Sequence, residues 1–179
     1  MNEMKTLVEL KAKIDNIDKV REKILKLNAE FIGKFHQIDT YFNVPKGRLK
    51  LREVEGKPHA QLIYYERENI AAPKKSEVFI LEISNPEEFK EKTEKILGVK
   101  SVVDKVREVY VYRETKIHLD SVKKLGCFIE FEKETLESEI EETRSFLEKL
   151  MKKLEIRWEN LIESSYGELI LNSGSGAGL

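Results

Sequence analysis

Between Leu7 and Ile14 the chain alternates with a period of two. Val8, Leu10, Ala12 and Ile14 share one apolar face of a strand, and Leu7, Glu9, Lys11 and Lys13 share the other. Helical spacing follows. Ile17, Val20, Ile24 and Leu27 recur at three and four positions, with Asp15 or Asn16 placed to cap, so a helix is predicted to about Ala29. Residues 31–35 read as a short extended connection and residues 37–44 as a strand, closed by Pro45-Lys46-Gly47. Residues 48–54 alternate strictly, with Arg48, Lys50 and Arg52 on one face. Glu55-Gly56-Lys57-Pro58 then turns the chain into a strand at 60–67, which predicts a hairpin.

The second half repeats this grammar. A strand at 76–84 leads to a helix capped by Ser84 or Asn85, with Pro86 near its start, Phe89, Ile96 and Leu97 pointing inward, and Gly98 at its end. Strands are predicted at 102–112, 115–122 and 126–134, a long helix at 139–154, and a short last helix at 160–171. Residues 1–171 form one domain in this reading, and 172–179 a flexible tail of glycine and serine. Runs of strands joined by hairpins give an antiparallel sheet and an α+β class. Eight such strands can close into a barrel, with helices covering the apolar outer face and the alternate side chains pointing into a lumen.

What would point inward is charged. Glu9, Lys11 and Lys13 are followed on alternating positions by Lys50 and Arg52, then Arg67, then Lys105 and Arg107, then His118 and Asp120, then Glu130 and Glu132. Each of these faces, taken alone, also fits the wet side of a sheet. Taken together in a lumen, the cations suit a polyanion and the carboxylates a hard divalent ion such as Mg²⁺ or Mn²⁺. Composition adds limits. The chain has 179 residues, 36% of them charged, yet a formal net charge of −1, so binding of nucleic acid or membrane by bulk charge is not expected. Cys127 is the lone cysteine, which excludes an intrachain disulfide and a thiolate zinc cluster. No apolar run is long enough to span a bilayer and no secretory signal is visible, so a cytoplasmic protein is expected. Tyr64 and Tyr65 read as packing residues, and His118 as structural.

An ordered set of short motifs resembles the CYTH superfamily, which joins class IV adenylyl cyclases with thiamine triphosphatases and inorganic triphosphatases. They are Val8-Glu9-Leu10-Lys11-Ala12-Lys13, similar to a Glu-x-Glu-x-Lys opening strand; Asp39-Thr40-Tyr41-Phe42; Gly47-Arg48-Leu49-Lys50-Leu51-Arg52; the strand 60–67; Val103-Asp104-Lys105-Val106-Arg107; Ile117-His118-Leu119-Asp120; Phe128-Ile129-Glu130-Phe131-Glu132; and the closing Leu161-Ile162-Glu163-Ser164-Ser165-Tyr166. The resemblance implies a closed eight-stranded triphosphate tunnel, most similar to the class IV adenylyl cyclase-like branch. By position it implies that Lys11, Lys50, Arg52, Arg67, Lys105 and Arg107, with Lys13 beside them, hold the triphosphate, and that Glu9, Asp120, Glu130 and Glu132 hold Mg²⁺ or Mn²⁺. Lys11, Arg52 and Glu130 are the catalytic candidates. The expected activity is conversion of ATP to cyclic AMP and pyrophosphate, with hydrolysis of inorganic or thiamine triphosphate, or binding without turnover, as the alternatives. A homodimer is an expectation of the resemblance alone. The chain departs from the pattern at Leu7, where the signature has its first glutamate, and at Tyr64-Tyr65, where a Tyr-Lys pair is usual.

Overall fold

The computed structural model describes residues 4–174. Eight strands are formed: β1 (Lys5–Ile14), β2 (Glu30–Phe42), β3 (Arg48–Val54), β4 (Ala60–Arg67), β5 (Lys74–Ile83), β6 (Val99–Tyr112), β7 (Thr115–Val122) and β8 (Gly126–Glu134). They close into a barrel in the order β1-β5-β4-β3-β2-β6-β7-β8, every neighbouring pair antiparallel. β1 seals it, pairing with β8 from Leu7↔Glu134 to Ile14↔Cys127 and with β5 from Lys5↔Val78 to Glu9↔Lys74. Helices α1 (Ile17–Lys26), α2 (Pro86–Leu97), α3 (Ile140–Lys153) and α4 (Tyr166–Gly174) complete the α+β architecture that the alternation predicts. No helix among the described residues is long and apolar enough to cross a membrane.

The period of two sorts the side chains between two environments. Outward, Val8, Leu10 and Ala12 of β1 join Ile117, Leu119, Ile129 and Phe131 beneath Val20 and Ile24 of α1 and Leu147, Leu150 and Met151 of α3. α1 starts where the Asn16 side chain accepts the Lys19 N–H, a cap contributing about 1 kcal/mol. α2 covers the outer face around Phe42, Leu51 and Ala60 more thinly, through Phe89 and Leu97. Ile96, expected to point inward, is 79% exposed. It is offset by about 100° from Leu97 around the helix, and a stripe through Phe89 and Leu97 leaves it outside.

One end of the barrel is stoppered from within. Tyr166, Leu169 and Ile170 of α4, with Ile162 and Leu125, pack against the inward residues Tyr41, Val103, Val122 and Phe128. The segment leading to α4 crosses that end: the Ile162 N–H donates to the Lys11 carbonyl at 2.9 Å. The buried Lys74 ammonium donates to the Ile162 carbonyl at 2.7 Å, and Arg67 to the Glu163 carbonyl at 3.0 Å. A reciprocal cap starts α4, Glu168 N–H to Ser165 Oγ at 3.2 Å and Ser165 N–H to Glu168 Oε2 at 3.0 Å.

These facts move some boundaries. α4 begins at Tyr166, not at residue 160, and runs to Gly174, so residues 172–174, expected in the tail, are helical. Residues 175–179 lie outside the described residues. The connection expected at 31–35 belongs to β2, which pairs with β6 from Glu30↔Val111 to Phe42↔Val99 across a register shift near Gly33.

Candidate functional site

The barrel encloses a cavity of about 260 Å³, near the lower end of the ~300–1,000 Å³ usual for small-molecule sites. Tyr166 bounds it at the stoppered end, and the exposed side chains of Lys5, Glu114, Lys116 and Glu134 line the opposite mouth. Lys11, Lys50, Arg52, Arg67, Lys105 and Arg107 all line this one cavity, as do Glu9, Glu130 and Glu132. Asp120 stands in its wall, fully buried behind Arg107. Lys13 is elsewhere. It is exposed, 5.9 Å from the Phe128 ring centroid, because the crossing segment meets β1 at Lys11 and Ala12 and leaves the next inward position outside the stopper.

The cations are held by carboxylates in a connected network. Asp39, with no exposed surface, takes a two-armed bond from Arg52 at 2.8 Å per arm, Lys105 at 2.7 Å and Lys50 at 3.1 Å. Burial alone would raise its pKa; Arg52, then Lys105 and Lys50, overcome that and hold it well below the usual carboxylate range. Arg107 grips Asp120 with two bonds of 2.7 Å, and the Tyr166 hydroxyl donates to the same carboxylate at 2.7 Å. Arg67 pairs with Glu9 at 2.8 Å. Lys11 lies 3.3 Å from Glu130 and 3.9 Å from the Tyr166 ring centroid, a cation–π geometry, and burial lowers its pKa. Glu130 also meets His118 Nδ1 at 3.2 Å and Arg107 at 3.6 Å. Burial is again outweighed, by Lys11 foremost, and Glu130 stays well below its ordinary range.

Three groups converge as a cation site would require. Ligand atoms of His118, Glu130 and Glu132 lie within 4.8 Å of one another. Burial, then the adjoining Glu130 charge, pushes Glu132 up to about 8, and burial, then Arg107, pushes His118 down to about 4. A neutral imidazole beside two carboxyl groups, one of them kept protonated by burial and by the other's charge, is a donor set that fits a divalent ion. Glu9 and Asp120, the other expected ligands, are engaged by Arg67 and Arg107. The titration has a consequence in metal-free protein. A carboxyl with a raised folded pKa contributes stability that is complete below about pH 4.5 and is lost as the pH climbs through about 8. Thermal melts in a chelator should therefore fall over that interval, and Glu132→Gln should flatten the fall; an unchanged profile in the variant would place the titration elsewhere.

Asp39, Tyr65 and Tyr166 also belong to the site, without having been expected there. Asp39 had a signal: it shares the inward parity of its strand and faces Arg52 directly across the β2–β3 ladder. Tyr65 follows the parity of Arg67 and lines the cavity. Tyr166 arrives from a segment whose path over the barrel end leaves no periodic trace.

A family model described as the CYTH domain matches residues 4–166. A relative from Methanocaldococcus jannaschii, provisionally named an adenylate cyclase, is 34% identical over 175 residues, spanning 90% of this chain and 97% of its own length. Among solved structures, the PH1012 protein of Pyrococcus horikoshii is similar with a TM-score of 0.83 at 25% identity, covering 91% of this chain and 98% of that one. A Hippeastrum protein, provisionally called an adenylyl cyclase and described as having a dominant triphosphatase activity, is similar with a TM-score of 0.66 at 17% identity, covering 98% of each chain. That last likeness is one of fold.

Proposed function

The chain belongs to the CYTH domain family, and from that premise we propose that its barrel is the active site of an enzyme acting on a triphosphate, with ATP cyclisation to cyclic AMP and pyrophosphate as the leading reaction. One observation carries this: Lys11, Lys50, Arg52, Arg67, Lys105 and Arg107 line a single cavity, with Glu130 and Glu132 beside them. The name of the M. jannaschii relative favours cyclisation.

The residues do their work by position and charge. Arg52, Lys50 and Lys105 share Asp39, and a triphosphate would compete with that carboxylate for their N–H donors. Lys11 and Arg107 approach the same carboxylate, Glu130, from two sides, and so place positive charge next to the cation cluster. The Tyr166 hydroxyl donates to Asp120, whose two oxygens hold the Arg107 guanidinium. Mg²⁺ or Mn²⁺ held by Glu130 and Glu132, with His118 alongside, would neutralise charge on the phosphate oxygens. In cyclisation the ribose 3′-oxygen displaces pyrophosphate from the α-phosphorus; in hydrolysis a water attacks the terminal phosphorus. Both depend on in-line placement and charge stabilisation more than on a side-chain nucleophile.

Incubation with ATP, tripolyphosphate and thiamine triphosphate, each with Mg²⁺ or Mn²⁺, tests the reading when cyclic AMP, pyrophosphate and orthophosphate are resolved. Cyclic AMP with equimolar pyrophosphate is the expected result. Orthophosphate without cyclic AMP would replace cyclisation by hydrolysis. No turnover, with a rise in thermal stability on adding triphosphate, would make the protein a binder and overturn the enzymatic reading.

A further inference from the structure

Arg48 opens β3 on the same face as Lys50 and Arg52, yet it does not line the charged cavity. It lines a second cavity of about 60 Å³ at the stoppered end, together with Lys100, Ser101 and the start of α4 at Ser165, Gly167 and Glu168. That start divides the two cavities: Tyr166 bounds the charged one, and its neighbours Ser165 and Gly167 bound the other. Arg48 donates through Nε to Glu168 at 2.7 Å and through Nη2 to Asn69 at 2.8 Å, which leaves Nη1 without a hydrogen-bond partner among the described residues. The Glu168 carboxylate is taken up by Arg48 and by the Ser165 N–H at 3.0 Å. Ser101 is 7% exposed, and its buried Oγ has no hydrogen-bond partner among the described residues. This oxygen sits against the first turn of α4, where a Cβ added to Gly167 would come within 2.9 Å of it.

A buried hydroxyl with no partner carries a desolvation cost that a ligand atom in the cavity would remove. The groups around it select the sign of that ligand. First-turn N–H groups of a helix have no intrahelical acceptor and stand at the positive end of its dipole, and α4, nine residues long, brings Gly167 of that turn to the cavity wall. Arg48 and Lys100 outweigh the Glu168 carboxylate in the lining. Size selects the rest. The volume equals the liquid share of about two waters at ~30 Å³ each, room for one compact oxyanion and too little for a phosphate chain or a nucleotide. We propose that this cavity binds a single inorganic phosphate, separately from the charged cavity. Arg48 and Lys100 supply the charge, and the Ser101 hydroxyl and the first turn of α4 supply hydrogen bonds. Asn43 and Lys100, both exposed, mark the opening to solvent, so phosphate reaches the site without passing through the barrel.

A phosphorus NMR titration of inorganic phosphate into wild type, Lys100→Met and Ser101→Ala tests this, in a chelator and with or without saturating tripolyphosphate. Thermal melts confirm that each variant folds; Lys100 is exposed, and Ser101→Ala removes one oxygen. Wild type should bind one phosphate per chain with the barrel filled by tripolyphosphate. Each variant should weaken phosphate about fivefold or more, the loss of one hydrogen bond or one charge contact. Tripolyphosphate affinity should stay within about twofold, since neither residue lines the charged cavity. Phosphate that is fully displaced by tripolyphosphate would belong to the charged cavity and overturn the proposal. Phosphate affinity unchanged in both variants, or no phosphate binding to wild type, would overturn it as well. Failure of tripolyphosphate to bind would count against the triphosphate reading alone, and the two variants would still locate the phosphate.

Discussion

Asp39→Asn is expected to destabilise the ligand-free protein by about 3–5 kcal/mol, the usual cost of removing one partner from a buried ion pair. The substitution preserves shape, so the loss is one of charge. Arg52, Lys105 and Lys50 all converge on this carboxylate, and Lys105, with 1% of its surface exposed, has Asp39 as its close counter-charge. Burial already drives Lys105 well below its ordinary pKa, with Asp39 opposing that shift. In the variant Lys105 would give up its proton or force the barrel open around it. Urea unfolding in a chelator measures the effect, and added tripolyphosphate supplies a control. If the carboxylate stands where phosphate oxygens would compete, tripolyphosphate should raise the midpoint of the variant more than that of wild type. A loss under about 1 kcal/mol would mean that the three cations are solvated in the free protein and that the network is not what holds this side of the barrel.

The same residue marks how far the sequence could be read. Alternation in the strands sorted lumen from exterior, because in a closed barrel the side-chain period of two has only two destinations. Lys11, Lys50, Arg52, Arg67, Lys105 and Arg107 therefore announced themselves as inward cations. Asp39 obeyed the same rule, yet a single acid among Gln37, Thr40 and Tyr41 carries no periodic signal of its own; its meaning comes from the register that sets it opposite Arg52. Lys13 fails for the converse reason. Its parity is right, but the chain from Leu161 onward crosses the barrel at Ala12, and such long-range closure is invisible to a local pattern. Tyr166, 155 residues away in sequence, is within 3.9 Å of Lys11 for that reason. Leu7 was legible as a departure from a motif, whereas its neighbours in the cavity lining required knowing that β5 is the strand beside it.

Glu130→Gln is expected to lower turnover about a hundredfold or more, on the scale seen when a metal-site or charge-stabilising group is removed. Among the described residues Glu130 is the carboxylate shared by Lys11, His118 and Arg107, and it is the neighbour whose charge, after burial, keeps Glu132 protonated up to about 8. Removing that charge acts in opposite directions on two measurable quantities. Lys11 and Arg107 lose an internal competitor, so tripolyphosphate should bind several-fold more tightly in the presence of a chelator. If His118, Glu130 and Glu132 hold Mg²⁺ or Mn²⁺, the variant loses a negative ligand there, and the further gain in affinity expected from the ion in wild-type protein should disappear. Glu132 should ionise at a lower pH in the variant, since burial and the more distant Glu9 charge would then remain to oppose its charge without that of Glu130. Calorimetry with and without divalent ion, alongside the product assay, reads all of this in one series. A variant with wild-type turnover and an unchanged metal increment would remove Glu130 from the cation site and leave it only as the counter-charge of Lys11. A variant with weaker tripolyphosphate binding in chelator would show instead that the Lys11–Glu130 pair is needed intact to present the lysine, and that its competition with phosphate is the wrong description.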